Sequence, residues 1–378
     1  MGRQNERKIG KSVALIKIIT FLKMYGFRRT LYKTLGRTNL KFKLPSFRKA
    51  SGKIVIIGCG QYSFATIQYV LDKNGLRSAG WVYDIDINKA KRMSTFFGYK
   101  VAFSIEEIPE GEDGDIVFIA SNHSSHIEYS EYFLNRGYIV YSEKPAVVSL
   151  NQLKKLGELL NRYPMGYYIG YNRPQSPHMI RAMDVLGYSS GFTLTATVNA
   201  HVLDKGHWYR NALEGTRICG NVGHWLDLYV HLLFKRKEIP VDYEISIAYS
   251  NLKEADDNIS LAITNDKGDL FSFCITSRVE LIDGINETIS FSTNRGVAVI
   301  DDFRKMTLRT SKTILKYNSF FKDVGHEKTI LQPFKKTIER EPKEILASAS
   351  LMIEVMSMVK KLNKNKFLKY DSAASKFE

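Results

Sequence analysis

Two glycines and a distant aspartate carry the first chemistry legible in this chain. The apolar run Lys53-Ile54-Val55-Ile56-Ile57 enters Gly58-Cys59-Gly60-Gln61-Tyr62-Ser63, and Asp84 follows Trp81-Val82-Tyr83, 26 residues after Gly58. Gly58 permits a tight turn, and Gly60 lets backbone approach a pyrophosphate closely. A helix opening at Gln61 and Tyr62 aims its N-terminal amides at that charge. Asp84 offers two acceptor oxygens to a ribose diol and repels a 2′-phosphate, with Asp86 adding negative charge nearby, so NAD is expected over NADP. Ser63 stands where a third glycine is usual, and it is small enough for close helix–strand packing.

Four further segments hold polar or titratable side chains at junctions. Ser121-Asn122-His123-Ser124-Ser125-His126 follows an apolar run, where ligands bind in open α/β sheets. Glu143-Lys144-Pro145 follows the next run, and the proline favours an extended Lys144. Gly170-Tyr171-Asn172-Arg173-Pro174-Gln175 comes later, and Gly215 to Asp227 is a glycine-rich loop entering an apolar helix that contains His224. No His/Cys/Asp cluster has ligand spacing, so no metal is expected. The three cysteines (Cys59, Cys219 and Cys274) are far apart and fit a reducing cytoplasm.

The elements that must position these residues change character near Gln175. Before it, Ile54–Ile57, Trp81–Asp84, Asp115–Ala120, Tyr138–Tyr141 and Met165–Tyr171 read as short buried strands. Helices alternate with them at Ala65–Leu71, Asn88–Phe97, His126–Arg136 and Gln152–Asn161. That predicts a Rossmann-type doubly wound parallel sheet over residues 51–175. After it, Phe192–Ala200, Tyr243–Tyr249, Ile259–Thr264, Leu270–Thr276, Thr288–Thr293 and Val297–Ile300 alternate in period two. Asp266-Lys267-Gly268 and Asn294-Arg295-Gly296 read as hairpin turns. Residues 176–378 are therefore expected to form an α+β domain with a mostly antiparallel sheet, a last helix at Glu344–Leu362 and a frayed tail after Asn363.

At 44% hydrophobic and 25% charged the composition is that of a folded globular protein. The net charge is +16, yet residues 1–50 hold 14 Lys/Arg against the single acid Glu6. The basic character thus belongs to an N-terminal arm over residues 1–50. Ser12–Tyr25 reads as an amphipathic helix with Lys17, Thr20 and Lys23 along one face, too short to span a bilayer. Two readings stay open: contact with an anionic membrane surface, or docking on the protein body or a partner chain. Strand one starts only near Lys53, so removal of residues 1–45 is expected to spare the dinucleotide fold; if the arm docks on the body or a neighbouring subunit, removal would expose apolar surface and the protein would aggregate or change oligomeric state. No nucleic-acid reading motif accompanies the charge.

From Lys53 to Leu362 the ordered pieces resemble the Gfo/Idh/MocA family of nicotinamide-dependent sugar oxidoreductases. They are strand–Gly58-x-Gly60-x-x-Ser63, Asp84, Ala120-Ser121-Asn122-His123…His126, Glu143-Lys144-Pro145, Gly170-Tyr171-Asn172-Arg173-Pro174 and Gly223-His224-x-x-Asp227. The resemblance implies hydride transfer at a sugar carbinol or carbonyl carbon. Lys144 would bond the reacting oxygen and His224 would exchange its proton, residue types suited to general acid–base work. It also implies that Ser121 and Asn122 meet the nicotinamide end and Glu143 the cofactor ribose. His126 either joins them or is a buried structural histidine. Asn172, Arg173, His207, Trp208, Arg217 and Asn221 are implied around the substrate, with Trp208 alternatively packing and Arg217 alternatively a solvated charge. One place departs from the pattern: many members carry an Asp four residues before the histidine, and Gly220 stands there.

The leading expectation is an NAD-dependent oxidoreductase of a sugar or nucleotide sugar. It would be cytoplasmic or membrane-peripheral, homo-oligomeric through its second-domain sheet, and suited to surface polysaccharide biosynthesis. The alternative is a non-catalytic dinucleotide or sugar sensor on the same fold.

Overall fold

The computed structural model describes residues 11–38, 53–78, 80–188, 191–236, 238–335 and 340–378. Its contacts divide the chain into two compact units. The first holds residues 27–171 and 326–345; the second holds the described part of 1–26 with 172–325 and 346–378. Among the described residues two helices come first, α1 (Lys11–Tyr25) in the second unit and α2 (Phe27–Leu35) in the first, with Gly26 at φ +82° between them.

In the first unit β1 (Ile54–Ile57), β2 (Trp81–Tyr83), β3 (Lys100–Val101), β4 (Ile116–Ile119), β5 (Ile139–Ser142) and β6 (Tyr167–Ile169) form an all-parallel sheet. Its order is β3-β2-β1-β4-β5-β6, the doubly wound arrangement whose switch point lies between β1 and β4. Every residue of β1 and β4 is buried, which is why both strands are unbroken apolar runs. A π-helical turn at Ser63–Ile67 leads from the glycine turn into α3 (Gln68–Lys73). α4 (Ile87–Phe97) starts at Asp86, whose side chain caps Asn88 N, and ends at Gly98 in the left-handed region. α5 (His126–Leu134) and α6 (Leu150–Arg162) follow β4 and β5, and Ser149 caps Gln152 N at 3.3 Å.

The sequence reading did not contain α2, and the tolerance expected for removal of residues 1–45 does not survive it. Tyr32 and Leu35 are buried in the core of the first unit beside Phe64, Phe97 and Val70. The Tyr32 hydroxyl and Arg77 share the Asp72 carboxylate, and the Tyr32 ring stacks on Phe97 at 6.1 Å. Each such buried side chain contributes about 1.5–3 kcal/mol, so α2 is part of the nucleotide-binding unit and not an appendage.

The second unit is built on a ten-stranded sheet. Its strands are β7 (Thr193–Asn199), β8 (Asp242–Tyr249), β9 (Ile259–Asn265), β10 (Leu270–Thr276), β11 (Asn286–Thr293), β12 (Gly296–Asp301), β13 (Lys305–Thr310), β14 (Ile314–Asn318), β15 (Asn365–Asp371) and β16 (Lys376–Phe377). All neighbours pair antiparallel except β7 with β10. The tail expected to fray is instead β15 and β16: Leu368, Tyr370 and Phe377 are buried, and β15 pairs with β8. α7 (Pro177–Leu186) packs on β11, β12 and β13. α8 (Gly223–Phe234) is apolar on nearly all sides, with every residue from Gly223 to Leu233 buried. Its Trp225 and Tyr229 rings lie 6.0 and 5.2 Å from Phe273 and Phe271 of β10. Ser348 of α9 (Pro342–Lys360) donates to Asp227 of α8 at 2.8 Å.

Candidate active site

The expected site residues fall in both units and are described unit by unit. In the first unit, Gly58 ends β1 at φ +85° with its N–H on the Tyr83 carbonyl at 2.8 Å. A Cβ there would lie 2.5 Å from the Ala120 carbonyl oxygen, so only glycine fits both the dihedral and the space. Gly60 differs: a Cβ on it would meet nothing within 4 Å. Its outer face is open at the place where a pyrophosphate would approach. Ser63, in the third glycine position, is fully buried and donates to the Gly58 carbonyl at 2.5 Å. It pins the first helical turn onto the glycine turn.

Asp84 closes the turn from the other side. Its carboxylate accepts from Cys59 N at 2.7 Å and from Asp86 N at 2.8 Å. Each carboxylate oxygen keeps further lone-pair capacity, so both can also meet a ribose diol. The side chains of Gln61 and Tyr62 turn inward. Gln61 donates to the Lys33 carbonyl at the end of α2 at 2.9 Å. Burial, then the Glu143 carboxylate and the Tyr141 hydroxyl, push the Tyr62 phenol well above its ordinary pKa, and Tyr141 is raised likewise. What Gln61 and Tyr62 can offer a phosphate is backbone amide.

Beyond β4 the loop is held by short polar contacts. Ser121 and Ser125 hydroxyls meet at 2.8 Å, and Asn122 donates to Ser124 at 2.7 Å. His126 is 1% exposed, and its ring nitrogens face the Pro145 carbonyl at 2.8 Å and the Ser121 carbonyl at 3.1 Å. It ties the loop after β4 to the loop after β5, a positioning place. Glu143 is buried, with one oxygen accepting from Lys144 N at 3.2 Å. A Cβ at Gly170 would lie 2.7 Å from its other oxygen, so this glycine makes room for the carboxylate. Lys144 is half-buried, and the Lys144–Pro145 peptide is cis.

In the second unit, Arg173 gathers the groups around His224. Its guanidinium donates to Asn172 Oδ1 at 2.9 Å, to Glu287 Oε1 at 2.5 Å and toward His224 Nε2 at 3.3 Å. It also lies over the Trp225 ring at 5.9 Å. An arginine has donors only, so in this contact His224 Nε2 is the acceptor. Asn172 is itself anchored on the Val324 carbonyl at 2.7 Å. Next to Glu287, Asp302 accepts from Lys322 at 2.5 Å and from Glu287 N at 3.3 Å. Asp302 and Phe303 both have positive φ, 49° and 51°, in the β12–β13 turn. Burial holds the Asp302 carboxyl above its ordinary range despite Lys322. Arg173, Glu287, Asp302 and Lys322 thus form a buried network of alternating charge beside His224. Sequence reasoning missed Glu287, Asp302 and Lys322, which lie more than a hundred residues from Arg173 and carry no local signal.

Arg217 is fully buried, bonded to Asp257 and to the His201 carbonyl at 3.1 Å. It pins the loop and is neither a solvated charge nor presented outward. His207 caps its own turn, accepting from Tyr209 N at 3.1 Å, and burial followed by Arg217 and Arg210 lowers its pKa. Trp208 is partly exposed and packs on Tyr209 at 4.3 Å. Asn221 is half-buried beside Gly220. At Gly220, any side-chain carbon would collide with the Tyr209 ring. The acid that the resemblance leads one to expect here would meet the Tyr209 ring, a residue that sequence reasoning missed although the glycine itself was the clue.

Residues 52–171 match the model of the oxidoreductase family with an NAD-binding Rossmann fold, GFO_IDH_MocA. No curated protein sequence matches the chain. Among solved structures, the WlbA dehydrogenase from Chromobacterium violaceum in complex with NADH and UDP-GlcNAcA is 18% identical. It has a TM-score of 0.67 over 87% of this chain and 99% of that one. GenD2 from gentamicin A biosynthesis, in complex with NAD, is 14% identical with a TM-score of 0.66, covering 89% and 100%. The dehydrogenase MviM from Clostridium difficile is 14% identical with a TM-score of 0.64, covering 81% and 99%. At these identities the likeness establishes the fold.

Proposed function

We propose, from the membership of residues 52–171 in the Gfo/Idh/MocA oxidoreductase family, that this chain oxidises or reduces a CH–OH carbon of a sugar or nucleotide sugar with NAD. The observation that carries the reading is the glycine turn, closed at Gly58, open at Gly60 and tied by Cys59 to Asp84. Those residues fit a dinucleotide. When bound, the cofactor supplies the carbon that takes or gives the hydride. Asp84 with Asp86 favours an unphosphorylated ribose, and Ser121, Asn122 and Glu143 are proposed to meet the rest of the cofactor. The complex of WlbA with UDP-GlcNAcA supports the nucleotide-sugar class. A surface polysaccharide precursor is the class of product we favour.

Lys144 is proposed to hydrogen-bond the reacting oxygen and His224 to exchange its proton. In the oxidative direction a C–H bond breaks as hydride and the O–H proton passes to the protein. To take that proton His224 Nε2 gives up its contact with Arg173, and the imidazolium so formed is the acid that returns the proton to a carbonyl oxygen in the reverse direction. Of the implied substrate residues, Trp208, His207 and Asn221 retain exposed surface, whereas Asn172, Arg173 and Arg217 act from within.

A second reading, a sensor that binds cofactor without turnover, is favoured by one observation: Tyr209 fills the space of the usual acid at Gly220. A panel of nucleotide sugars assayed for NAD reduction and NADH oxidation, comparing wild type with Lys144→Ala, separates the two. Turnover lost in the variant is the expected result. Tight cofactor binding with no turnover on any sugar would favour the sensor.

A further inference from the structure

The first helix leaves most of its aliphatic side chains exposed. An ordinary surface helix buries its apolar stripe and turns polar residues to water. In α1 the stripe facing the second unit is Lys17, Thr20, Phe21 and Met24, at helical spacing. Lys17 pairs with Glu280 at 3.7 Å, and the Met24 carbonyl accepts from Lys322 N at 2.8 Å. The outward arc is Leu15, Ile16, Ile18, Ile19 and Leu22, 36 to 58% exposed, with the exposed Lys23 among them. Such an arc in water costs free energy unless something covers it.

Charge identifies what covers it. Residues 1–50 hold 14 Lys/Arg and one acid, while the rest of the chain is close to neutral. Pairing two copies through this arc would bring two strongly basic segments together against their mutual repulsion. An anionic lipid surface answers both features at once. Aliphatic side chains sink to the boundary of headgroup and acyl chain, and lysines and arginines gain from the negative surface potential. At 15 residues α1 is about 22 Å long, and no described helix is long and apolar enough to cross a membrane. Contact is therefore along the surface. We propose that α1 docks this chain on an anionic bilayer through its outward aliphatic arc. This stands independently of the oxidoreductase reading.

The test uses the full-length chain, sedimented with phosphatidylcholine vesicles with and without phosphatidylglycerol. The wild type is expected to pellet with the anionic vesicles only and to be released as salt rises, because screening shortens the reach of the lysines. Ile16→Glu/Ile19→Glu changes two exposed side chains, so its melting temperature is expected to match the wild type. Its vesicle binding is expected to fall roughly tenfold or more per side chain. Should the variant fold less well, Leu15→Glu alone provides the same reading. The proposal is overturned if the wild type ignores anionic vesicles, or if the glutamates leave binding unchanged. It is equally overturned if light scattering shows an oligomer that they dissolve, which would make a second copy the occupant.

Discussion

Asp84 shows how far a single residue could be read before the structure and how far it could not. Its distance from Gly58 and its place after an apolar strand pointed to a ribose. Its grip on Cys59 N and Asp86 N was illegible, because a backbone donor has no sequence signature. Asp84→Ala therefore has two expected effects. NAD preference over NADP, measured by titration, should narrow by about 1–3 kcal/mol, and the cofactor-free protein should lose about 1–3 kcal/mol in denaturant unfolding. Stability unchanged in the apo protein would show that the two backbone bonds matter little. Tyr209 and Gly220 offer a cleaner test. Gly220→Ala forces a Cβ into the Tyr209 ring and should cost about 1–3 kcal/mol. In a Tyr209→Ala background most of that cost should vanish, and a double-mutant cycle showing simple additivity would refute the contact. For Lys144→Ala and His224→Ala, cofactor affinity should persist while turnover falls by about 10²–10⁴-fold. Near-normal turnover in either variant removes its proposed role.

Elements were legible where their periodicity was carried by apolar residues, and hidden where it was not. β1 and β4 declared themselves as unbroken Ile/Val/Phe runs. β15 places only Leu368 and Tyr370 inward among lysines and asparagine, so it passed for a polar tail. β13 and β14 were likewise unread, β14 because its residues are mostly exposed at a sheet edge. α2 was masked by the charge of the arm around it. Its Leu35 is now the sharpest test of where the nucleotide-binding unit begins. Leu35→Ala should lower stability by about 2–5 kcal/mol, as a buried leucine truncation does. Deletion of residues 1–26 should leave that unit folded with cofactor, whereas deletion of 1–38 should not, by circular dichroism with and without NAD. Equal stability of the two truncations would return α2 to the status of an appendage.

At the scale of the whole molecule, cofactor and acid should act on different units. The glycine turn, Asp84 and Glu143 all belong to the first unit, whose core is its own. A ligand that binds only the folded form stabilises by mass action, about 2.7 kcal/mol at a hundredfold excess over Kd. The histidines whose pKa is lowered, His178 and His207, belong to the second unit. Burial comes first in lowering both below 6.5; at His207 it is followed by Arg217 and Arg210. The unfolded chain thus binds these protons more readily than the folded one. Their contribution is whole above pH about 6.5 and is lost as pH falls below it toward the depressed native values. Calorimetry at pH 7.5 should show NAD raising the transition of the first unit. Moving toward pH 5.5 should lower the transition of the second, and His178→Gln should blunt that acid shift. A single transition moved equally by NAD and by acid would show that the two units melt as one, and an acid shift unchanged in His178→Gln would acquit that histidine.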